Sequence, residues 1–303
     1  MAINFWTLQR SLTYQRSAPI EQLLLDVEEI AGLDTTVAAK RDRLQAILSI
    51  AIMGGGLSLG LFLFWGFVWL WAIPIGCAII AIFAGLLRLL YGRVDAVDYR
   101  YALVGRILPL LGRDIDNDDD VDITLTIGPK VFLETTAHPH KPDWKIDRFS
   151  DDWLSIQGTF IDRTQFSLTA TEVAIEHHGT KRNFRGKIKY KRKKKFKGFE
   201  IVLILTFPRR KYGAIAAIKN EAKKAIRLPQ PVQLKTFRVK ENSIYLKAQT
   251  PPWLGIQIRD SSPNSSAVPE TQLTEPLYQT ITMMFLSLYH VLNLANALAK
   301  KKT

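Results

Sequence analysis

Residues 44–87 contain no Asp, Glu, Lys, Arg or His. A soluble domain has no use for so long an uncharged, mostly apolar run. Written as one helix, this stretch would extend about 66 Å at 1.5 Å per residue. A bilayer core is about 30 Å thick, and about 20 residues cross it. The run is about twice as long as one crossing needs. It predicts two transmembrane helices, at about residues 46–65 and 69–90, joined by a tight turn. Trp65, Trp69 and Trp71 cluster at that turn with Phe64 and Phe67, as expected of a tip at the far interface, where tryptophan is favoured. Pro74 falls near the start of the second helix, where a missing N–H costs little.

Flanking cations set the expected orientation. Lys40, Arg41 and Arg43 precede the run, and Arg88 and Arg93 follow it. The short connection has none, so the positive-inside rule predicts a multi-pass integral membrane protein with both termini cytoplasmic. The first 40 residues are mixed polar and apolar, unlike a cleavable signal peptide. The expected organisation is an N-terminal cytoplasmic helical segment (1–43), the membrane hairpin (44–90) and a basic cytoplasmic domain (91–303). Small residues recur at four-residue spacing on both membrane helices: Gly56 and Gly60 on the first, Cys77, Ala81 and Gly85 on the second. Such stripes let helix backbones approach closely in lipid. They serve packing within one hairpin or, alternatively, a homo-oligomer seam.

The net charge of +13 is unevenly spread. Residues 1–43 carry 5 basic and 6 acidic groups, and residues 91–303 carry 35 and 22. A basic domain beside a bilayer points first to anionic lipid headgroups and second to an acidic partner. The single cysteine, Cys77, lies in the apolar run, so no intrachain disulfide forms. The hairpin has no ionisable group, which makes a transporter or proton relay of the hairpin alone a poor reading. Anchorage is its simplest role.

Outside the hairpin the expected class is α+β. Ile20, Leu23, Leu24, Val27 and Ile30 predict an amphipathic helix opened by Ser17-Ala18-Pro19 and stopped at Gly32. A second helix from about Asp34 to Thr36 leads into the membrane, and another covers 94–111. Alternating patterns predict strands at 121–127, 131–136, 153–161, 165–176, 184–191, 199–207, 233–239 and 243–249, with Glu241-Asn242 as a turn. A helix is expected over 210–227. The last, over 275–300, has a polar stripe and is expected to be amphipathic, packed on the sheet or lying at the membrane surface.

Between residues 181 and 197 there are 11 basic residues and no acid. In an extended chain Arg185, Lys187, Lys189, Lys191, Lys193, Lys195 and Lys197 share one face, with Ile188, Tyr190 and Phe196 on the other. Near an anionic leaflet each cation contributes about 1 kcal/mol. The competing reading is a solvated edge that only prevents edge-to-edge pairing. Nucleic acid is disfavoured, because few aromatics are interleaved for stacking. Asp114, Asp116, Asp118, Asp119, Asp120 and Asp122 resemble a calcium loop, but Asp119 and Leu125 stand where its turn glycine and bidentate glutamate belong. A solvated turn is the better reading. His138-Pro139-His140 and His177-His178 have no further ligands to complete a metal site. Gly56-Leu57-Ser58-Leu59-Gly60 matches a hydrolase nucleophile elbow, yet it sits in the lipid-spanning run. No catalytic, cofactor or metal residue is assigned.

Two further segments carry a resemblance. Residues 196–203 (Phe-Lys-Gly-Phe-Glu-Ile-Val-Leu) are a basic turn entering an apolar strand, and residues 239–246 (Val-Lys-Glu-Asn-Ser-Ile-Tyr-Leu) are a hairpin before the terminal helix. With the order of segments, they resemble an uncharacterised bacterial membrane family. The resemblance implies a two-span hairpin followed by a β-rich cytoplasmic domain, and implies no activity. The sequence reading is a membrane-anchored interaction domain or scaffold. The alternatives are an auxiliary subunit among membrane-protein partners and, third, a membrane-bound enzyme.

Overall fold

A computed structural model describes residues 12–65, 72–91, 98–126, 131–139, 141, 143–182, 184, 186–208, 212, 215, 219–252 and 271–300. The chain is α+β and divides into two compact units, one built from Thr13–Leu25 with Asp98–Thr303 and the other including Asp26–Val97.

The first unit is built on an eight-stranded antiparallel sheet. Its strands are β1 (Thr13–Ala18), β2 (Val121–Thr126), β3 (Val131–Ala137), β4 (Trp144–Thr159), β5 (Gln165–Arg182), β6 (Ile188–Thr206), β7 (Gln233–Val239) and β8 (Ser243–Gln249). Their order is β1-β2-β4-β5-β6-β8-β7, with β3 added to β4. Register follows the period-2 pattern. One row across the sheet reads Ile123, Ile156, Leu168, Leu203, Leu246 and Phe237. The first five are fully buried, because cross-strand partners point to the same face.

Two helices cover that face. Helix α3 (Asp98–Leu111) sets Tyr99 edge-on to Trp153 and Phe199, both at 5.7 Å. Helix α5 (Thr271–Lys300) sets Phe285 against Phe160 and Phe166. Leu277, Ile281, Met284, Leu288, Val291 and Ala295 of α5 are buried at helical spacing. This is the packed amphipathic helix that its polar stripe implied. A short helix α4 (Lys219–Ala225) is what the structure describes of the helix expected over 210–227, together with Tyr212 and Ile215.

The cover is partial. At β4 the register shifts between Asp152 and Leu154, which leaves Trp153 as an extra residue. At β6 it shifts so that Val173 faces Gly198 while Ala174 faces Phe196. Gly198 has φ +106, and a Cβ there would collide with the Thr250 carbonyl, so this bulge requires glycine. Beyond the bulges, residues 144–151, 173–182 and 188–197 continue with β3 as a four-stranded blade. Strand β8 pairs with β6 only over residues 200–206. Among the described residues, the early half of β6 is therefore an edge.

The second unit holds most of α1 (Ile20–Trp65) and α2 (Ala72–Tyr91). The expected stop at Gly32 does not occur: α1 begins after Pro19 and runs on through Gly32. A glycine costs a helix only about 1 kcal/mol, and helix on both sides propagates through it. The N-terminal segment is also not purely helical, since Thr13–Ala18 pairs with β2. Among the described residues one helix, over Ala39–Gly60, is long and apolar enough to cross a membrane, and Ile73–Leu89 is a shorter apolar helix. The two touch where a Cβ on Gly55 would lie 3.2 Å from the Cys77 Cβ. Beside that seam their apolar side chains are exposed: Ile50 70%, Leu57 69%, Ile82 64% and Leu89 71%. The expected turn between the helices, the segment 92–97 and Arg185 lie outside the described residues.

Candidate functional site

The blade carries two chemically different faces. On β5 the even-numbered residues continue the inner face of the sheet, and the odd-numbered ones lie opposite. Pairing sets Lys189 against Lys181, Lys191 against Gly179, Lys193 against His177 and Lys195 against Ile175. The four alternate lysines therefore share the outer face, as the extended reading required. Lys187 precedes the strand, and Lys197 is the extra residue at the bulge. All six are exposed.

His177 stands within this face, with the His138 ring centroid 5.4 Å away. Its pKa is lowered, first by burial and then by the charges of Lys195, His138, Lys197 and Lys141. Trp144, opposite Gly179, donates its indole N–H to the Thr180 carbonyl, and the Lys141 ammonium lies 4.8 Å from its ring centroid.

The inner face is ion-paired. Glu176 is buried and forms ion pairs with Arg192 at 3.2 Å and Lys194 at 3.7 Å. Asp147 lies 3.1 Å from His178 Nδ1 and accepts the Thr135 hydroxyl at 2.7 Å. At the root of the blade, Arg100 of α3 reaches Asp151 at 2.5 Å and Glu172 at 3.5 Å. Arg192 and Lys194 are thus tied to a carboxylate. Both cations are about two-thirds exposed, so solvent screens these pairs and their main effect is to hold Arg192 and Lys194 on the inner face, away from the outer lysines. Sequence reading missed these partners. Glu176 and Arg100 sit in patterns that look exposed; Glu176 is buried within the strand array and Arg100 by the packing of α3 against Thr126, Asp151 and Trp153.

The structure also places the other motifs. Ser58 of the elbow-like motif is inside α1, where its hydroxyl donates to the Gly55 carbonyl at 3.0 Å. Asp116, Asp118, Asp119 and Asp120 are exposed, and no His, Cys, Asp and Glu grouping among the described residues is arranged to hold a metal ion. Of the small-residue stripe, Cys77 lies at the helix contact. A Cβ on Gly56, Gly60 or Gly85 would meet open space, and Ala84 rather than Ala81 is buried. Among the described residues, the contact between the two helices is Gly54 and Gly55 against Cys77. No protein-family model, curated protein or solved structure matches this chain.

Proposed function

We propose that the protein is a membrane-anchored interaction module whose lysine face binds the anionic headgroups of a bilayer. The observation that carries this reading is the register of β6. It sets Lys189, Lys191, Lys193 and Lys195 on one exposed face with no carboxylate directly across on β5, while Glu134, further along that face on β3, is ion-paired with Arg148 at 3.0 Å. In this reading α1 and α2 form a two-span hairpin anchor that leaves both ends of the chain on the cytoplasmic side. Their exposed apolar flanks support that role. Lipid satisfies such surfaces, whereas water penalises them by about 25 cal/mol per Å². Ile73–Leu89 is somewhat short for a 30 Å core, and snorkelling of Arg88 or local thinning accommodates the difference. The architecture would then be that of the bacterial membrane family named above.

Four lysines near an anionic surface contribute roughly 4 kcal/mol, screened with a Debye length of about 8 Å at physiological salt. The test uses the full chain held in zwitterionic nanodiscs and measures its capture of vesicles with and without phosphatidylserine. Capture should need the anionic lipid and fade with salt. It should be lost when Lys189→Gln, Lys191→Gln, Lys193→Gln and Lys195→Gln are combined. Unchanged capture by that variant would overturn the proposal. Absence of capture, with other membrane proteins co-purifying stably, would identify an auxiliary subunit instead.

A further inference from the structure

We infer that the free end of the blade does more than adsorb. It inserts Phe184, Ile188 and Tyr190 into the boundary between headgroups and acyl chains of an anionic bilayer. The inference rests on the lipid reading above and adds an insertion site to it: Ile188 and Tyr190 lie on the face opposite Lys189 and Lys191, so the blade enters end-on, with the lysines of its outer face along one side of the inserted end.

Three observations point there. First, exposed large apolar side chains on this hairpin are confined to its end. Phe184 in the β5–β6 connection is 95% exposed, Ile188 66% and Tyr190 58%, while Phe196 and Phe199 further along are buried. Single exposed apolar residues are ordinary, but a cluster at one end is a mark of an interaction site. Second, cations surround them. Ile188 pairs with Arg182, and Lys181 pairs with Lys189 across the strands. The Arg182 Nε donates to the Gly186 carbonyl at 3.2 Å, closing the turn beside Phe184. Third, the dimensions fit. From the turn to Tyr190 is two to three residue pairs, about 7–10 Å at 3.3 Å per residue, and interfacial segments sink about 5–10 Å.

The chemistry follows from these positions. Phe184 and Ile188 enter the apolar zone, while Tyr190 keeps its hydroxyl at the headgroups, where amphipathic rings are favoured. Lys181, Arg182, Lys187 and Lys189 extend back to phosphates along their methylene stems. A soluble acidic peptide would satisfy the lysines but would leave Phe184 and Ile188 in water. The combination of apolar end and cationic collar therefore selects a lipid surface.

The experiment again uses the full chain in zwitterionic nanodiscs. An environment-sensitive dye is attached at Lys187→Cys in a Cys77→Ala background, and phosphatidylserine vesicles are added. Insertion predicts a blue shift of the dye and quenching by shallow spin-labelled lipid. Combining Phe184→Ser with Ile188→Ser should weaken vesicle capture by roughly a hundredfold or more and leave a residue of binding that salt removes completely. Salt-sensitive capture that survives this double change, with an unshifted dye, would reject insertion while leaving surface binding intact. An equal dye shift on adding polyglutamate would reject the bilayer as occupant. Full capture by the four-lysine variant would refute the underlying lipid reading instead.

Discussion

Strands β4, β5 and β6 each run through two environments. In their covered halves the inner face is Leu154, Ile156, Leu168, Ala170, Leu203 and Leu205, buried under α3 and α5. In the blade, the same strands carry Asp147, Glu176, His178, Arg192 and Lys194 on that face. Backbone pairing is continuous apart from the two bulges, so hydrogen bonding does not separate the halves. What separates them is the side chain set offered to the inner face. Apolar rows recruit helices, and charged rows pair with each other and leave the sheet bare. The first half stores stability and the second presents a surface.

The comparison makes its largest predictions about stability. Trp153→Ala removes a fully buried ring at the bulge that enters the covered half, and should cost about 3–5 kcal/mol. Tyr190→Ala in the blade should change stability by less than about 0.5 kcal/mol. Chemical denaturation of the full chain in detergent measures both, and equal losses would erase the distinction between the halves.

Arg100→Met tests the junction. It leaves the buried Asp151 and the partly buried Glu172 without their cation and should cost about 3–5 kcal/mol, read as a lower denaturation midpoint.

Gly198→Ala strains a positive φ and forces the chain off the Thr250 carbonyl. A loss of about 2–3 kcal/mol is expected, read as a lower denaturation midpoint. In the helical unit, Gly55→Leu should separate α1 from α2 and lower the thermal midpoint in detergent. Gly56→Leu, facing open space, should leave it unchanged.

The smallest effect is at His177. Its depressed pKa means that the unfolded chain binds more protons just below the ordinary histidine value of about 6.5. Stability from this site is complete above that value and is lost as pH falls through the folded pKa. His177→Gln should flatten that part of the pH profile. In the intact chain, anionic vesicles should raise the His177 pKa toward its ordinary value, as seen by NMR titration of the ring.

Legibility in the sequence followed the same divide. The apolar run at 44–87, the alternation of β2 and β8 and the Glu241-Asn242 turn are plain, because each has one buried face or none. The turn is closed by Lys240 N–H to the Ser243 carbonyl at 2.8 Å. The early half of β4 was missed, because Trp144, Ile146 and Phe149 keep no single period between the charged residues, and Asp147 and Asp151 are held by partners distant in sequence. Strand β1 was missed as well. It is six residues long, mostly polar, and pairs with a segment about one hundred residues later. The lysine face was readable because alternation alone fixes it. The helix seam at Gly55 rather than Gly56 was not, since every face of that helix is apolar and periodicity selects none. Long-range ion pairs such as Arg100 with Asp151 leave no local pattern at all.

The central claim is that an anionic membrane meets the bare half of the sheet and spares the covered half. Amine-reactive footprinting of the full chain, in nanodiscs with and without phosphatidylserine, tests it directly. Lys189, Lys191, Lys193 and Lys195 should be protected only in the anionic discs, while Lys223, Lys224 and Lys240, exposed in the other half, keep their reactivity. Identical reactivity of the two groups in both lipids would contradict the account.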